Sequence, residues 1–257
     1  MIVHKNLNIM GGRLGNQLFK CAALISLSSH TGYQWGILNN NKPDNVMRYW
    51  NIEYPYSIID NWTPVYHYQW EDSLMFDTEF FTIKDNTSID SYVQSEKYFS
   101  ELNIKQFFMP RQEFQIPEYV EKIKSYYKDH RIVTVHVRKS DYKECKYFDI
   151  LTKEYYHKVF DMTADTNNLY IIITDDITWL RENITLPAKH IISQQLDLYD
   201  FYLFGCGDIQ VLANSSFSWW ASYFSNKLNK IVYAPSMWAE NKYTDKLDIK
   251  RKEWILC

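Results

Sequence analysis

The stretch Arg131-Ile132-Val133-Thr134-Val135-His136-Val137-Arg138-Lys139-Ser140-Asp141-Tyr142 decides how this chain is read. Its first seven residues are mostly apolar and β-branched, the composition of a strand buried on both faces. The strand delivers an imidazole, a guanidinium, an ammonium and a carboxylate together at its C-terminal end. Ligands of open α/β sheets bind outside the carboxyl ends of the strands. Arginine is the side chain best suited to grip a phosphate through two parallel hydrogen bonds. The stretch therefore predicts an α/β fold with a phosphorylated ligand.

Working outward, strands and helices alternate downstream. Lys153–Phe160, Thr178–Asn183, Leu198–Phe204 and Trp219–Phe224 carry helical patterns. Leu169–Ile173, His190–Ile192, Val211–Ala213 and Lys230–Ala234 read as strands between them. Such alternation implies βαβ units and a mostly parallel sheet. Upstream, Leu7–Met10 reads as a short strand, then a glycine-rich turn from Gly11 to Gln17 opens a helix that ends near Thr31-Gly32. Gln34–Leu38 is a second strand, and the pattern from Asn39 to Pro117 is irregular. A charged amphipathic helix near Pro110–Lys128 separates the halves, here set at residues 1–125 and 126–257.

Bulk properties narrow the class. The chain has 257 residues, enough for a substantial core, and 46% hydrophobic with 23% charged residues is ordinary for a soluble globular protein. Net charge is −3 and the one short basic block is Lys250-Arg251-Lys252, so nucleic acid is not an expected partner. Cys21, Cys145, Cys206 and Cys257 form no C-x-x-C pair, which favours free thiols in a reducing compartment. No apolar run approaches the roughly 18 residues that span a bilayer, and the N-terminus lacks the apolar core of a signal peptide. The expected location is the cytoplasm, with peripheral membrane contact left open.

Four polar clusters sit at predicted strand ends, each with a structural alternative. Gly12-x-x-Gly15-Asn16-Gln17 lets backbone approach a ligand, or is simply a turn. His136 to Asp141 is an anion site, or an Arg138–Asp141 pair beside a core histidine. Asp175-Asp176 reads the edge of a purine or ribose hydroxyls, or caps the following helix. Asn214-Ser215-Ser216-Phe217-Ser218 cradles phosphate with hydroxyls and helix N–H groups, or is an N-cap. Together the four clusters point to a nucleotide-diphosphate site.

These residues resemble the α-1,2-fucosyltransferases of glycosyltransferase family eleven. The resemblance rests on six ordered motifs between about residues 10 and 238. They are Gly11–Gln17, Gln94-Ser95-Glu96-Lys97-Tyr98-Phe99, His136–Tyr142, Thr174–Trp179, Asn214–Trp220 and Ala234-Pro235-Ser236-Met237-Trp238. The resemblance implies a GT-B-like α/β fold, two Rossmann-like halves with mostly parallel sheets facing a cleft. The N-terminal half would serve the acceptor and the C-terminal half the donor. It implies inverting transfer from GDP-β-L-fucose to the 2-hydroxyl of a galactoside, in an oligosaccharide or glycolipid. Arg138 would grip the pyrophosphate; Ser215, Ser216 and Phe217 would contact phosphate; Asp175 or Asp176 would contact guanine; Asn16 would lie near the fucose. Gly12, Gly15, His136 and Asn214 complete the expected donor site. The chain carries Lys139-Ser140 where the family usually has Arg-Gly, and lysine lacks the planar two-pronged grip.

Inverting transfer places negative charge on departing GDP, and pre-placed donors for that charge are usually the largest catalytic term. Arg138 with the helix at Ser215–Phe217 is the expected source. No Asp-x-Asp occurs in the chain, so neither a metal nor another cofactor is indicated. Asp141, Glu96 and His136 are the candidate proton acceptors. The rival readings are a fucosyltransferase acting on a protein hydroxyl or N-acetylglucosamine, and a non-catalytic glycan- or GDP-sugar-binding module.

Overall fold

The computed structural model describes residues 1–4, 13–39, 46–72, 74–243 and 247–257. The chain divides into two compact units, Met1–Phe114 and Gln115–Cys257. The first unit holds strands β1 (Ile2–His4), β2 (Trp35–Leu38), β3 (Trp50–Ile52), β4 (Ser57–Ile59), β5 (Tyr66–Tyr68), β6 (Thr87–Ile89) and β7 (Phe108–Pro110), with helix α1 (Leu14–Thr31). Five of these strands form a parallel sheet in the order β4-β2-β1-β6-β5, while β3 and β7 pair separately and antiparallel. The strand expected at Leu7–Met10 lies outside the described residues, and β1 precedes it. Helix α1 stops at Gly32, whose left-handed φ of 75° a residue with a side chain adopts only at a cost.

The second unit begins with α2 (Ile116–Tyr126), followed by β8 (Arg131–Val137), α3 (Lys153–Met162), β9 (Asn168–Thr174), α4 (Ile177–Asn183) and β10 (His190–Ser193). The chain continues through α5 (Asp197–Gly205), β11 (Ile209–Val211), α6 (Ser216–Phe224), β12 (Ile231–Ala234), β13 (Met237–Ala239), β14 (Lys242–Tyr243) and β15 (Ile255–Leu256). Its main sheet is parallel throughout, in the order β10-β9-β8-β11-β12-β15. Strand β8 matches the expected bounds, and all seven residues of β9 are buried. Strand β11 lies two residues earlier than the pattern suggested, because Leu212 and Ala213 are buried beyond the ladder.

The division between the units falls before α2, rather than after residue 125 as expected. Helix α2 packs on α5, where the Tyr119 and Tyr199 rings lie 4.9 Å apart and Gln195 Nε2 donates to the Tyr119 hydroxyl at 2.9 Å. The amphipathic stripe of α2 thus belongs to the second core. That core gathers Val133, Val135, Tyr156, Ile172 and Val211 around the central strands. Each such fully buried side chain stabilises by about 1.5–3 kcal/mol. Trp219 and Trp220 are fully buried, and Trp219 Nε1 donates to Ile249 O at 2.6 Å, so the tryptophan pair builds core. Among the described residues no helix is long and apolar enough to cross a membrane.

Candidate active site

Parallel pairing of β8 with β9 matches Val137 to Thr174, which brings Arg138 and Asp175 side by side as the strands end. Asp175 is heavily engaged. Its Oδ1 accepts from the Lys139 N–H at 2.8 Å and the Ser140 N–H at 3.3 Å. Its Oδ2 accepts from Ser140 Oγ at 2.6 Å and lies 2.6 Å from an Arg138 terminal nitrogen. Burial alone would push its carboxyl up, but the Arg138 guanidinium and these donors outweigh burial and hold it below the usual carboxylate range. Asp175 therefore fixes both the turn after β8 and the arginine.

Arg138 reaches a second carboxylate through its other terminal nitrogen, 2.6 Å from Asp141 Oδ1. Its guanidinium carbon lies 5.3 Å from the Tyr142 ring centre. The Arg138 Nε is buried without a hydrogen-bond partner. His136, two residues before Arg138, is 4% exposed and its ring centre lies 5.1 Å from that of Phe217. Burial, reinforced by Arg138 and opposed by Asp175, pushes the imidazole down to about 3, so it is neutral. Its Nδ1 is buried with no partner. Buried polar atoms are rarely left so, and each one in a native structure asks for an explanation such as a ligand.

The serine loop joins this site from β11. Ser215 caps α6, its hydroxyl accepting from the Phe217 N–H at 3.3 Å. Tyr142 donates its hydroxyl to Asn214 O at 3.2 Å, tying the turn after β8 to the serine loop. Burial raises the Tyr142 phenol to about 12. Asn214 is buried and its amide donates to Phe148 O at 3.0 Å and Trp238 O at 2.9 Å. Asn214, expected among the donor-binding residues, thus spends its amide N–H groups on organising the loop.

The two adjacent aspartates divide their work. Asp176 caps α4 through the Trp179 N–H at 2.8 Å and pairs with Lys143. The helix-capping reading therefore accounts for Asp176, and Asp175 is committed to the β8 turn; neither carboxylate stands idle for guanine. Lys139 is 5% exposed, turned onto Asp149 and lying 4.5 Å from the Trp179 ring centre. The second position of the motif is an internal prop, and its lost planar grip is not spent on an outside ligand. Tyr142 and Asp149 were not singled out as site residues from the sequence. Tyr142 lay inside the decisive stretch, whereas nothing local marks Asp149 as the partner of a lysine ten positions earlier.

In the first unit, Gly15 and Asn16 lie in the first turn of α1, Gly12 falls outside the described residues, and Glu96 opens a short 3-10 turn after Ser95. Gln94 Nε2 donates to Asn16 Oδ1 at 2.5 Å. Val93, buried and β-branched, holds a φ of 47°. His4 is buried at the end of β1, its Nε2 donating to Ser91 O at 2.6 Å. Lys20 is 2% exposed, its amine lowered to about 8 by burial against the pull of Asp90, and it lies 4.6 Å from the Tyr92 ring centre. A lysine in the apolar middle of α1, between Phe19 and Cys21, was the available signal for this cluster. Among the described residues no group of three His, Cys, Asp or Glu side chains is arranged to hold a metal ion.

Comparison with known proteins decides the family. The family model described as Glycosyl transferase family 11 matches residues 5–257. The chain belongs to glycosyl transferase family 11. It is 26% identical over 206 residues to an alpha-1,2-colitosyltransferase of Escherichia coli, a match covering 71% of this chain and 69% of that one. Among solved structures it resembles NodZ alpha-1,6-fucosyltransferase soaked with GDP-fucose, with a TM-score of 0.54, 15% identity, and coverage of 87% of this chain and 92% of that one. It also resembles POFUT1 in complex with GDP-fucose, with a TM-score of 0.55, 12% identity, and coverage of 91% and 96%. These likenesses establish the GT-B-like fold of the family 11 chain, and the expected α/β class with mostly parallel sheets holds.

Proposed function

We propose that this glycosyltransferase moves L-fucose from GDP-β-L-fucose to a glycan hydroxyl, the 2-hydroxyl of a galactoside, with inversion. The observation that carries the reading is Arg138, its side chain 10% exposed and pinned just past β8 beside the capped serine loop of α6. The C-terminal unit takes the donor and the N-terminal unit the acceptor. As the acceptor oxygen attacks the anomeric carbon, the bond to GDP breaks and negative charge grows on the pyrophosphate. Arg138 and the first turn of α6, with Ser215, Ser216 and Phe217, meet that charge in place of a metal. His136 presents its partnerless Nδ1 to the donor; being neutral and pushed down to about 3, it is a poor base. Asp141 and Glu96 are the carboxylates assigned to take the acceptor proton. Gly12, Gly15 and Asn16 serve the sugar end of the donor.

Because Asp175 and Asp176 have internal work, a guanine contact by either would come on top of those bonds. A colitosyl donor is a second reading, favoured by the relative named for that sugar. The four free cysteines fit a reducing compartment, and the cytoplasm is the proposed location. The test is incubation with GDP-fucose and a panel of terminal galactosides, with released GDP and the product linkage measured. A fucosylated galactose 2-hydroxyl is expected. Transfer only to N-acetylglucosamine or a protein hydroxyl would move the acceptor assignment, and GDP binding with no transfer to any acceptor would leave a binding module.

A further inference from the structure

We propose that Tyr92 is the platform on which the galactose ring of the acceptor stacks. The inference rests on the reading that the N-terminal unit takes a galactoside acceptor. Among the described residues, the large apolar side chains that the first unit leaves exposed are Ile58, Val65, Tyr66, Tyr92 and Met109. Ile58 lies within β4 and Met109 within β7, while Val65 precedes and Tyr66 begins β5. Tyr92 alone of these follows the carboxyl end of a strand in the parallel sheet, three residues after Ile89 closes β6. That is the edge at which open α/β sheets bind their ligands.

The backbone that carries this ring is held on both sides. The Asp90 N–H donates to Tyr68 O at 2.9 Å. Ser91 is buried; its carbonyl accepts from His4, and its hydroxyl accepts from the Trp70 N–H at 2.8 Å and donates to Trp70 O at 2.7 Å. Val93 is fully buried at its left-handed φ, and Gln94 is bonded to Asn16. Lys20, itself buried, sets its ammonium 4.6 Å from the Tyr92 ring centre and so backs one face of the ring. A side chain 36% exposed thus stands between two buried ones on a turn whose conformation is fixed. Strained, over-determined backbone of this kind clusters at ligand sites, and a ring already in place loses little freedom when a ligand arrives.

The ring's chemistry selects the ligand. Tyrosine joins an apolar face to a polar tip. A galactoside, with its axial 4-hydroxyl, gathers the C–H bonds of C3, C4 and C5 on one face. That face packs on a phenol ring while the 2-hydroxyl stays outside the contact. Tyr66 supplies the matched contrast: its ring centre lies 5.1 Å from the Lys84 ammonium, but it stands at the amino end of β5, away from the ligand edge of the sheet.

The test combines saturation-transfer NMR on lactose and methyl β-galactoside with the kinetics of fucose transfer to both. In the parent chain the protons on C3, C4 and C5 of galactose should take the strongest saturation. Tyr92→Ala should abolish that pattern and raise the acceptor KM about tenfold, with the GDP dissociation constant and the KM for GDP-fucose unchanged. Tyr92→Phe and Tyr66→Ala should both stay within about twofold of the parent acceptor KM. If circular dichroism shows Tyr92→Ala unfolded, Tyr92→Leu takes its place, since leucine still covers Lys20 but offers no flat face. An unchanged acceptor KM and saturation pattern in the folded variant overturns the proposal, as does the absence of any galactoside signal from the parent chain. An equal rise in the KM for GDP-fucose also overturns it, because a residue that merely supports the fold harms both substrates. Galactoside saturation that depends on Tyr92 without fucose transfer to any acceptor keeps the platform and removes the transferase reading.

Discussion

Two histidines occupy matching places in the two units. His4 ends β1 in the first parallel sheet, and His136 lies one residue from the end of β8 in the second. Both are buried, and burial pushes both imidazoles down to about 3. They differ in satisfaction. His4 gives its Nε2 proton to Ser91 O, whereas His136 keeps a buried Nδ1 with no partner. The same residue in the same kind of sheet is therefore a finished core element in one unit and an open valence in the other. The open valence lies beside Arg138, where the charged groups cluster, and that contrast separates site from scaffold better than burial does.

The strongest way to break the contrast is to remove the charge beside the open histidine. Arg138→Ala should lower kcat/KM for GDP-fucose by roughly a hundredfold to a thousandfold while the chain stays folded. Near-parental turnover by folded Arg138→Ala would end the case for this site. Next, His136→Ala should cost about tenfold to a hundredfold in kcat/KM with little loss of stability, if Nδ1 serves a charged ligand. His4→Ala should do the reverse, losing about 1–3 kcal/mol in urea unfolding while folded protein keeps its turnover within a few-fold.

Acid sharpens the same comparison. Each histidine titrates near its ordinary 6.5 in the unfolded chain and near 3 in the folded one. Below 6.5 the unfolded chain binds the extra proton, so stability present above that pH is lost as pH falls toward 3. The slope is about 1.4 kcal/mol per pH unit for each histidine. Urea midpoints followed from neutral to mildly acidic pH should show His4→Asn removing one such share. A slope unchanged by the substitution would mean that His4 is protonated in the fold.

Smaller effects test the supports. Lys139→Met should destabilise by about 1–2 kcal/mol, since it leaves Asp149 unpaired at a partly exposed position, while Lys139→Arg should be tolerated. A large rise in GDP dissociation constant for Lys139→Met at full stability would instead mean that the lysine touches the donor. Tyr142→Phe removes one hydroxyl donor to the serine loop and should cost about 1 kcal/mol, seen as a few-fold fall in kcat/KM.

The C-terminal unit was legible because its strands are mostly apolar and punctuated by helices, so β8 could be bounded from pattern alone, whereas α6 starts three residues before the expected Trp219 because Ser215 caps it. Strand β11 was misplaced because Leu212 and Ala213 are as apolar as the ladder they follow. The N-terminal unit was opaque for the opposite reason. Its strands β3 to β7 are three residues each, too short for alternation to repeat. The division before α2 was missed because one helix's allegiance depends on Tyr119 meeting Tyr199, a contact without local signature. Among the site residues, Arg138 was readable from its place after a buried strand. The pairing of Lys139 with Asp149, and of Asp175 with backbone N–H groups, depends on where the chain returns.

Val93 carries a consequence of its own. A buried β-branched residue at a φ of 47° costs about 1–3 kcal/mol, which the surrounding packing must keep supplying. The turn behaves as a loaded spring whose release would draw Gln94 away from Asn16. Val93→Gly would unload it, trading a tense, single-valued geometry for a slack one. The Asn16–Gln94 contact is thus a gauge of whether the first unit is fully seated, and loosening anywhere in that core should register there first.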